Sequence, residues 1–485
     1  MNKAKKSLFA GMLLVANALL KKAIGLISTL ILARVLAPDD FGLVAITMLV
    51  LGFVEVFSVT GSQQYIFQKE KVTDDILNTA WTIDLILKVF VSLLLFLSAP
   101  FVADYYGDQQ LVNSLRVISL LPILGALKNP GLLLLQKEQK YGAIIKQSIL
   151  IKIVAVIVTI SLALALNNFW ALILGTLCTS ILESAGSYLL HSHRPKFCLR
   201  NSKPQLVFSG WMTPQAILGY LRTQLDTFIV SSTYGKSQLG SYHVMKYLAF
   251  MPTSEVITPA TQPLLVELSK VKNDRDAFTN QYRLSLIIVM AVALPMTAFL
   301  YAFDKILIEL LLGIQWIKYA DVFGALSGMV ICFVILNQAR RALVVFEKTK
   351  WMFYYEMVSF IGIYGTLLFI GLEDIITFTQ NRILLEFAFC LSVFSIVAYV
   401  LIGFKPLIKL IGMHIPLLLC VFVSVKLTEQ IDLTEFNIII KLASYAILFS
   451  LTYLVSLLLS YVLIYRKTME GKYVKNLVLK ALSKR

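Results

Sequence analysis

Apolar runs of roughly 20 residues, separated by short polar breaks, recur along the whole chain, and each is long enough to cross a hydrocarbon core of about 30 Å as a helix. About fourteen such runs are present, centred from Leu20 and Leu51 at one end to Leu419 and Leu454 at the other. The seventh, around Trp211 to Val230, is the most polar. None of the breaks exceeds about 25 residues, so no loop can bury a core or form an independent catalytic domain. The pattern predicts an all-α integral membrane protein. The start, MNKAKK before an apolar stretch, imitates a secretory signal, but the run is longer than a signal's apolar region and lacks a convincing cleavage site, so an uncleaved first helix is expected.

Composition agrees: 58% of the 485 residues are apolar and 15% are charged, against about 25% charged in soluble domains. With the N-terminus cytoplasmic, the basic residues gather on one side. Inside segments hold Lys3, Lys5 and Lys6, then Lys69 and Lys71, Lys137 and Lys140, Arg194 to Lys203, Lys270 to Arg275, Arg340 to Lys350, Lys405 and Lys409, and a basic tail from Arg466. The opposite loops offer little beyond Arg34, Lys236, Lys305, Lys318 and Arg382. The positive-inside rule then places both termini in the cytoplasm. The net charge of +16 reads as topology and attraction to anionic membrane lipids, with no soluble basic domain for nucleic acid. Five cysteines and four histidines make no disulfide or metal spacing, and no nucleophile elbow, phosphate loop or zinc motif is present, so neither an enzyme nor a cofactor is expected.

The chain carries signs of an internal duplication. A shift of 198 positions lays PDDFGLVAI, Pro38 to Ile46, on KSQLGSYHV, Lys236 to Val244, matching Gly42 to Gly240. A second echo, at a shift of 210, relates KEQKYGAI from Lys137 to EKTKWMFY from Glu347, implying an insertion near Leu311 to Asp321. Six spans repeated, plus two, account for fourteen. The expected lobes are 1–200 and 201–404, with two further helices and the basic tail in 405–485. Parallel repeats of this kind put a substrate site between the halves near mid-membrane.

The most informative polar residues are Lys21 and Lys22, near the middle of the first run. Charges at that depth cost at least about 2.5 to 3.5 kcal/mol each, which makes a hydrated, anion-receiving cavity the default reading. Asn17, Lys21, Gly25 and Ser28 share one helical stripe, and Gln215, Gly219, Arg222 and Asp226 share another in the seventh span. Under the shift of 198 the two stripes superpose, as expected of quasi-equivalent walls of one cavity; polar contacts between helices are the alternative. Lys246, on a stripe with Tyr242 and Thr253, is also assigned to the cavity. Asp84 and Lys88, spaced i,i+4, are equally consistent with mutual pairing and with cavity function. Glu55 and Glu255 occupy nearly corresponding positions and, with Asp84, are candidates for ion coupling. Lys128, Lys146, Lys152 and Arg116 lie near span ends and are expected to snorkel.

Several fragments in order resemble the polysaccharide flippases of the multidrug/oligosaccharidyl-lipid/polysaccharide exporter superfamily. They are ILARVLAPDDFGLVAI from Ile31, QKEKVTDD from Gln68, APFVADYYGDQQLVNSLRVIS from Ala99, LLQKEQKY from Leu134, QLDTFIVSSTYGKSQLGSY from Gln224 and LLGIQW from Leu311. Their order is similar to the branch of Wzx-type transporters serving colanic and teichuronic acid export. The resemblance implies two six-helix bundles forming a V-shaped cationic cavity with two added helices. It also implies alternating access that turns undecaprenyl-diphosphate-linked oligosaccharides from the cytoplasmic to the outer leaflet of the bacterial inner membrane, for O-antigen, capsule or exopolysaccharide assembly. Arg34, Asp226 and Lys246 fall on positions matching family motifs, the first two as architecture more than substrate contact.

On this reading Lys21, Lys22, Arg222 and Lys246 hold the diphosphate, while Asn17, Ser28, Gln215, Tyr242 and Asp226 line the cavity or meet the glycan. Membrane potential, or a proton or sodium gradient, is a possible energy source, and a polysaccharide polymerase a possible partner of the expected monomer. A multidrug exporter of the same superfamily is the second reading, disfavoured by mid-span lysines where cationic drugs call for carboxylates. A polymerase or ligase acting on the same lipid is the third, and it calls for a large external loop.

Overall fold

The computed structural model describes residues 3–463 except 70, 139, 201, 347, 349, 371–372 and 432–435, with side chains described from residue 16 onward apart from a few in 211–266. The basic tail from Arg466 therefore lies outside the described residues, as do the side chains of Lys3, Lys5 and Lys6. Among the described residues the regular structure is entirely helical, and ten helical stretches are long and apolar enough to cross a membrane. The principal helices are α1 (Lys3–Val35), α2 (Pro38–Glu55), α3 (Asp74–Tyr106), α4 (Gln110–Ala126), α5 (Gly142–Leu166), α6 (Trp170–Leu190) and α7 (Ser202–Thr233). They continue with α8 (Lys236–Pro252), α9 (Arg275–Ala302), α10 (Met329–Val345), α11 (Lys350–Ile370), α12 (Ile375–Ile402), α13 (Ile415–Glu429) and α14 (Ile438–Leu463). The ten apolar stretches exclude α1, the shorter α4, the polar α7 and α8.

Packing divides the chain into two compact units, Met1–His243 and Val244–Arg485. The expected division at 200/201 follows the sequence repeat, whereas packing keeps α7 with the first unit, where it lies against α2 and α3. In that unit α1 packs along α5, α5 along α6, and α3 against α4. In the second unit α10 packs on α12, α13 on α14, and α9 on both α10 and α13. Its core stacks Tyr282 between Phe278 and Phe394, and the buried Gln338 amide donates to Tyr282 O at 2.9 Å and Ser285 Oγ at 2.6 Å. Arg382, expected in an outer loop, instead lies within α12, buried and paired with Glu386 at 2.8 Å one turn on. The insertion inferred near Leu311 to Asp321 falls on a break in helicity, where Gly313 adopts φ 101°.

The segment after α6 runs extended and is laced to the start of α3. Asn78 Oδ1 accepts from Lys196 N at 3.1 Å, Thr82 Oγ1 accepts from Cys198 N at 3.0 Å, and the Thr79 hydroxyl donates to Arg200 O. From the other side Asn129 Nδ2 donates to His191 O at 3.0 Å and His193 O at 2.8 Å. A loop that would otherwise leave backbone groups unpaired is thereby satisfied by side chains.

The two glycines matched by the repeat meet each other. The first turns of α2 and α8 cross so closely that a Cβ on Gly240 would overlap Pro38 O and Gly42 N, and one on Gly42 would overlap Lys236 O. Only a residue without a side chain permits backbone approach of this kind. Gly240→Ala is expected to lower stability in detergent by about 2 kcal/mol or more. Gly210→Ala, where a Cβ meets nothing within 4 Å, leaves it unchanged or slightly raised. Thermal unfolding of the two purified variants checks the pair.

Candidate functional site

The polar stripe of α1 is turned toward α5. Ser148 Oγ on α5 donates to Asn17 Oδ1 at 3.2 Å, joining the two helices a turn before Lys21. A turn beyond Lys21, Lys152 lies against Gly25, its Nζ and Cε 3.8 Å from where a Cβ would stand. Lys21 and Lys152 are within electrostatic range of each other, and both are half-buried. Among the described residues neither has a carboxylate within ion-pair distance. Two like charges therefore lie near one another on a helix pair that also carries the Asn17–Ser148 bond. Removing such charges from water costs several kcal/mol per ion unless a counter-charge or water is present.

The remaining charges of the first unit are arranged differently. Lys88 pairs with Asp84 at 3.0 Å, and Thr60 Oγ1 donates to Asp84 Oδ1 at 3.3 Å. Lys128 pairs with Glu183 at 2.6 Å, joining the end of α4 to α6. Glu55, at the end of α2, lies within electrostatic range of Lys88, Asp84 and Lys128, and Glu183 within that of Lys152. A band of alternating charge thus runs across α2, α3, α4 and α6 and ends at the α1–α5 lysines. Lys21, Lys88, Lys128 and Lys152 outnumber Glu55, Asp84 and Glu183, so the band carries a positive excess.

Several expected placements change. Lys128 does not snorkel but pairs with Glu183, and Lys152 belongs beside Lys21; sequence position suggested a span end for both. Lys146 is exposed, and Arg116 extends over the ring of Phe96 at 5.2 Å. Asp84 and Lys88 do pair, although they remain part of the band. Tyr242 and Asp226 do not present a glycan-binding surface: Tyr242 is fully buried and donates its hydroxyl to Asp226 Oδ2 at 3.0 Å. The Thr227 backbone N–H supplies Asp226 Oδ1 with a further bond at 2.7 Å. Buried carboxylates require such donors, and this pair joins α7 to α8. Ser28 is likewise buried.

Of the other assigned residues, Lys22 is exposed on α1, and Arg222 is half-buried on α7. The side chain of Gln215 lies outside the described residues. Lys246 and Glu255 belong to the second unit, half-buried on α8 and in the π-helical turn that follows it, where Ser254 Oγ donates to Glu255 Oε1 at 2.7 Å. Sequence reasoning missed Lys152 and Ser148. The available signal was that Ser148 and Lys152 are spaced i,i+4, a stripe like that of Asn17 and Lys21.

Residues 31–321, more than half of the chain, match the family described as polysaccharide biosynthesis protein. The chain belongs to this family. A membrane protein of the cps region of Klebsiella pneumoniae is 23% identical over 413 residues, covering 82% of this chain and 85% of that one. The lipopolysaccharide biosynthesis protein WzxC of Escherichia coli (strain K12) is 23% identical over 301 residues, 60% of each chain. Among solved structures, the lipid II flippase MurJ in an inward closed conformation superposes with a TM-score of 0.71 at 15% identity, covering 92% of this chain and 98% of that one. An inward-facing multidrug transporter of the MATE family superposes at 0.58 and 12% identity, covering 80% and 96%. The fold is that of the MOP superfamily, and the resemblance to Wzx-type flippases read from the sequence holds. The protein is a multi-pass membrane protein.

If Tyr242 and Asp226 tie two helices together, Tyr242→Phe removes one bond to a buried carboxylate and costs about 1.5 to 3 kcal/mol of stability. Chemical or thermal unfolding of the purified protein measures the loss. A variant of unchanged stability that fails in transport would return Tyr242 to the substrate path.

Proposed function

We propose that this protein flips undecaprenyl-diphosphate-linked oligosaccharides from the cytoplasmic to the outer leaflet of the bacterial inner membrane, without catalysing a covalent step. The observation that carries this reading is the Lys21–Lys152 pair, two half-buried ammonium groups near one another with no carboxylate in ion-pair range among the described residues. Isolated positive charge of that kind is stable only with water or an anion beside it. A diphosphate supplies the counter-charge, and its passage through bare hydrocarbon would otherwise cost tens of kcal/mol. The sugar units then follow through the same hydrated space while the prenyl tail remains in lipid.

In this account Lys21, Lys22 and Lys152 are the diphosphate ligands of the first lobe, Arg222 and Lys246 those contributed by α7 and α8, and Asn17 and Gln215 meet the glycan. Fourteen spans in two six-helix lobes, 1–200 and 201–404, followed by two helices in 405–485, alternate in access, with both termini cytoplasmic. WzxC and the teichuronic acid biosynthesis protein TuaB of Bacillus subtilis (strain 168), 20% identical over 362 residues, support the substrate class by their names. Moving two negative charges outward across a membrane that is negative inside releases about 2.3 kcal/mol per charge per 100 mV, so the potential alone can bias export. Glu55, Asp84 and Glu255 remain the groups for any ion coupling. A drug exporter for organic cations fits less well, because Asp84 and Glu183 are each already bound to a lysine.

In proteoliposomes with a labelled polyprenyl-diphosphate saccharide, Lys21→Gln and Lys152→Gln are each expected to slow flipping about tenfold or more, as the loss of one charge-assisted contact implies. Unchanged rates in both variants at normal protein levels would remove these lysines from the path.

A further inference from the structure

Away from the lysines, α2, α3 and α7 enclose an apolar cavity of about 500 Å³ within the first unit. Phe53, Phe101, Tyr220, Leu225 and Phe228 supply much of its wall. Two of its three tyrosine hydroxyls are engaged by protein groups: Tyr220 donates to Leu49 O at 2.5 Å, and Tyr106 shares a hydrogen bond of 2.9 Å with Ser231 Oγ. Apart from Gln224, ring faces and aliphatic groups make up the rest of the lining. Such a cavity takes hydrocarbon in preference to water. Its rim is open, with Phe101 76% and Tyr105 65% exposed.

Tyr105 and Tyr106 also line a second, polar chamber of about 450 Å³ that reaches Asp108, Ser231, Ser232, Gly235 and Lys236, so the two spaces share these residues as a common wall. Paired tyrosines at a helix end mark the depth of the membrane interface. From Tyr220 in the apolar part to Ser232 in the polar part α7 rises about 18 Å, close to the roughly 15 Å of hydrocarbon in one leaflet. The two chambers therefore have the depth and polarity sequence of one lipid.

Charge selects the headgroup. Lys236 binds Asp108 at 2.9 Å, and Asp39 and Asp40 lie within electrostatic range of it, so negative charge outweighs positive around this ammonium. Burial pushes the Asp108 carboxyl up, but hydrogen bonds from Lys236 and the Gln110 N–H outweigh it and hold the group below the usual carboxylate range. Asp108 is charged at neutral pH. A headgroup with only negative charge, including a diphosphate, is repelled here; one with an ammonium beside its phosphate finds partners of both signs.

We propose that this two-part cavity holds one zwitterionic amino-phospholipid of the membrane, its chain against Phe53 and Phe228, its ammonium at Asp108 and its phosphate at Lys236. The site is separate from the lysines of α1 and α5 and does not depend on what the protein transports.

Native mass spectrometry of protein purified in mild detergent, with the bound lipids identified by class, tests this. One phosphatidylethanolamine-type adduct is expected on the unaltered chain. Val102→Trp, which fills the apolar part, and Asp108→Asn, which removes the ammonium's partner, each weaken its retention about tenfold. Because Asp108→Asn also loosens the contact with Lys236, a second measurement uses delipidated protein. Added phosphatidylethanolamine raises the melting temperature of the unaltered chain and not that of Val102→Trp, while phosphatidylglycerol raises neither. Equal retention in all three proteins, a bound lipid that is anionic or a polyprenyl phosphate, or no melting response to phosphatidylethanolamine overturns the proposal.

Discussion

Hydrocarbon does not solvate charge, and that constraint organises the polar interior of this protein. Each buried ionic group must find an opposite charge, a set of hydrogen-bond donors, or water. Arg382 takes Glu386, Lys88 takes Asp84, Lys128 takes Glu183, and Asp226 collects the Tyr242 hydroxyl and the Thr227 N–H. These are self-sufficient arrangements and act as fixed points of the fold. The α1–α5 contact is the place where the rule is left open: Asn17 and Ser148 satisfy each other, while Lys21 and Lys152 bring the same charge together. A folded membrane protein tolerates that when the missing partner arrives from outside, and under the proposed function that partner is a lipid-linked phosphate.

The backbone framework that places these lysines depends on small residues. Gly25 lies beside Lys152, and the Gly42–Gly240 crossing lets the first turns of α2 and α8 touch. Close approach of helices through small residues is the usual way membrane helices associate, since lipid tails offer no hydrophobic drive for packing. The hydrogen bonds that lace the segment after α6 onto α3 fix the end of the first six helices in the same unit.

Much of this was legible in the chain. Runs of apolar residues gave the helical class, because a 20-residue apolar stretch has few other stable solutions. The stripe of Asn17, Lys21, Gly25 and Ser28 was read as a cavity wall with helix contact as the alternative, and Asn17 and Gly25 do meet α5 through the Ser148 bond and the approach of Lys152. What periodicity could not reveal was the partner of each polar residue. Lys128 and Lys152 looked like snorkelling side chains because their distance from a span end was the only measure available. Their true neighbours, Glu183 and Lys21, are 55 and 131 positions away in sequence. Tyr242 and Asp226 looked like cavity walls for the same reason. A polar stripe identifies a face that is not turned to lipid, but helix-to-helix bonding and substrate contact leave the same mark until the packing is known. The boundary between units shows a related limit, because the repeat divides sequence while α7 packs by shape against α2 and α3.

The central claim is that the space beside Lys21 is wet and receives phosphate. A cysteine placed at position 21 of a chain otherwise without cysteine measures this most directly, through its reaction with a charged, water-soluble thiol reagent in membranes. The account predicts ready modification, slowed by added polyprenyl diphosphate and not by the uncharged polyprenol. A thiol that stays inert to the charged reagent while a membrane-soluble reagent modifies it would show that the position faces lipid or a dry contact, and would contradict the account.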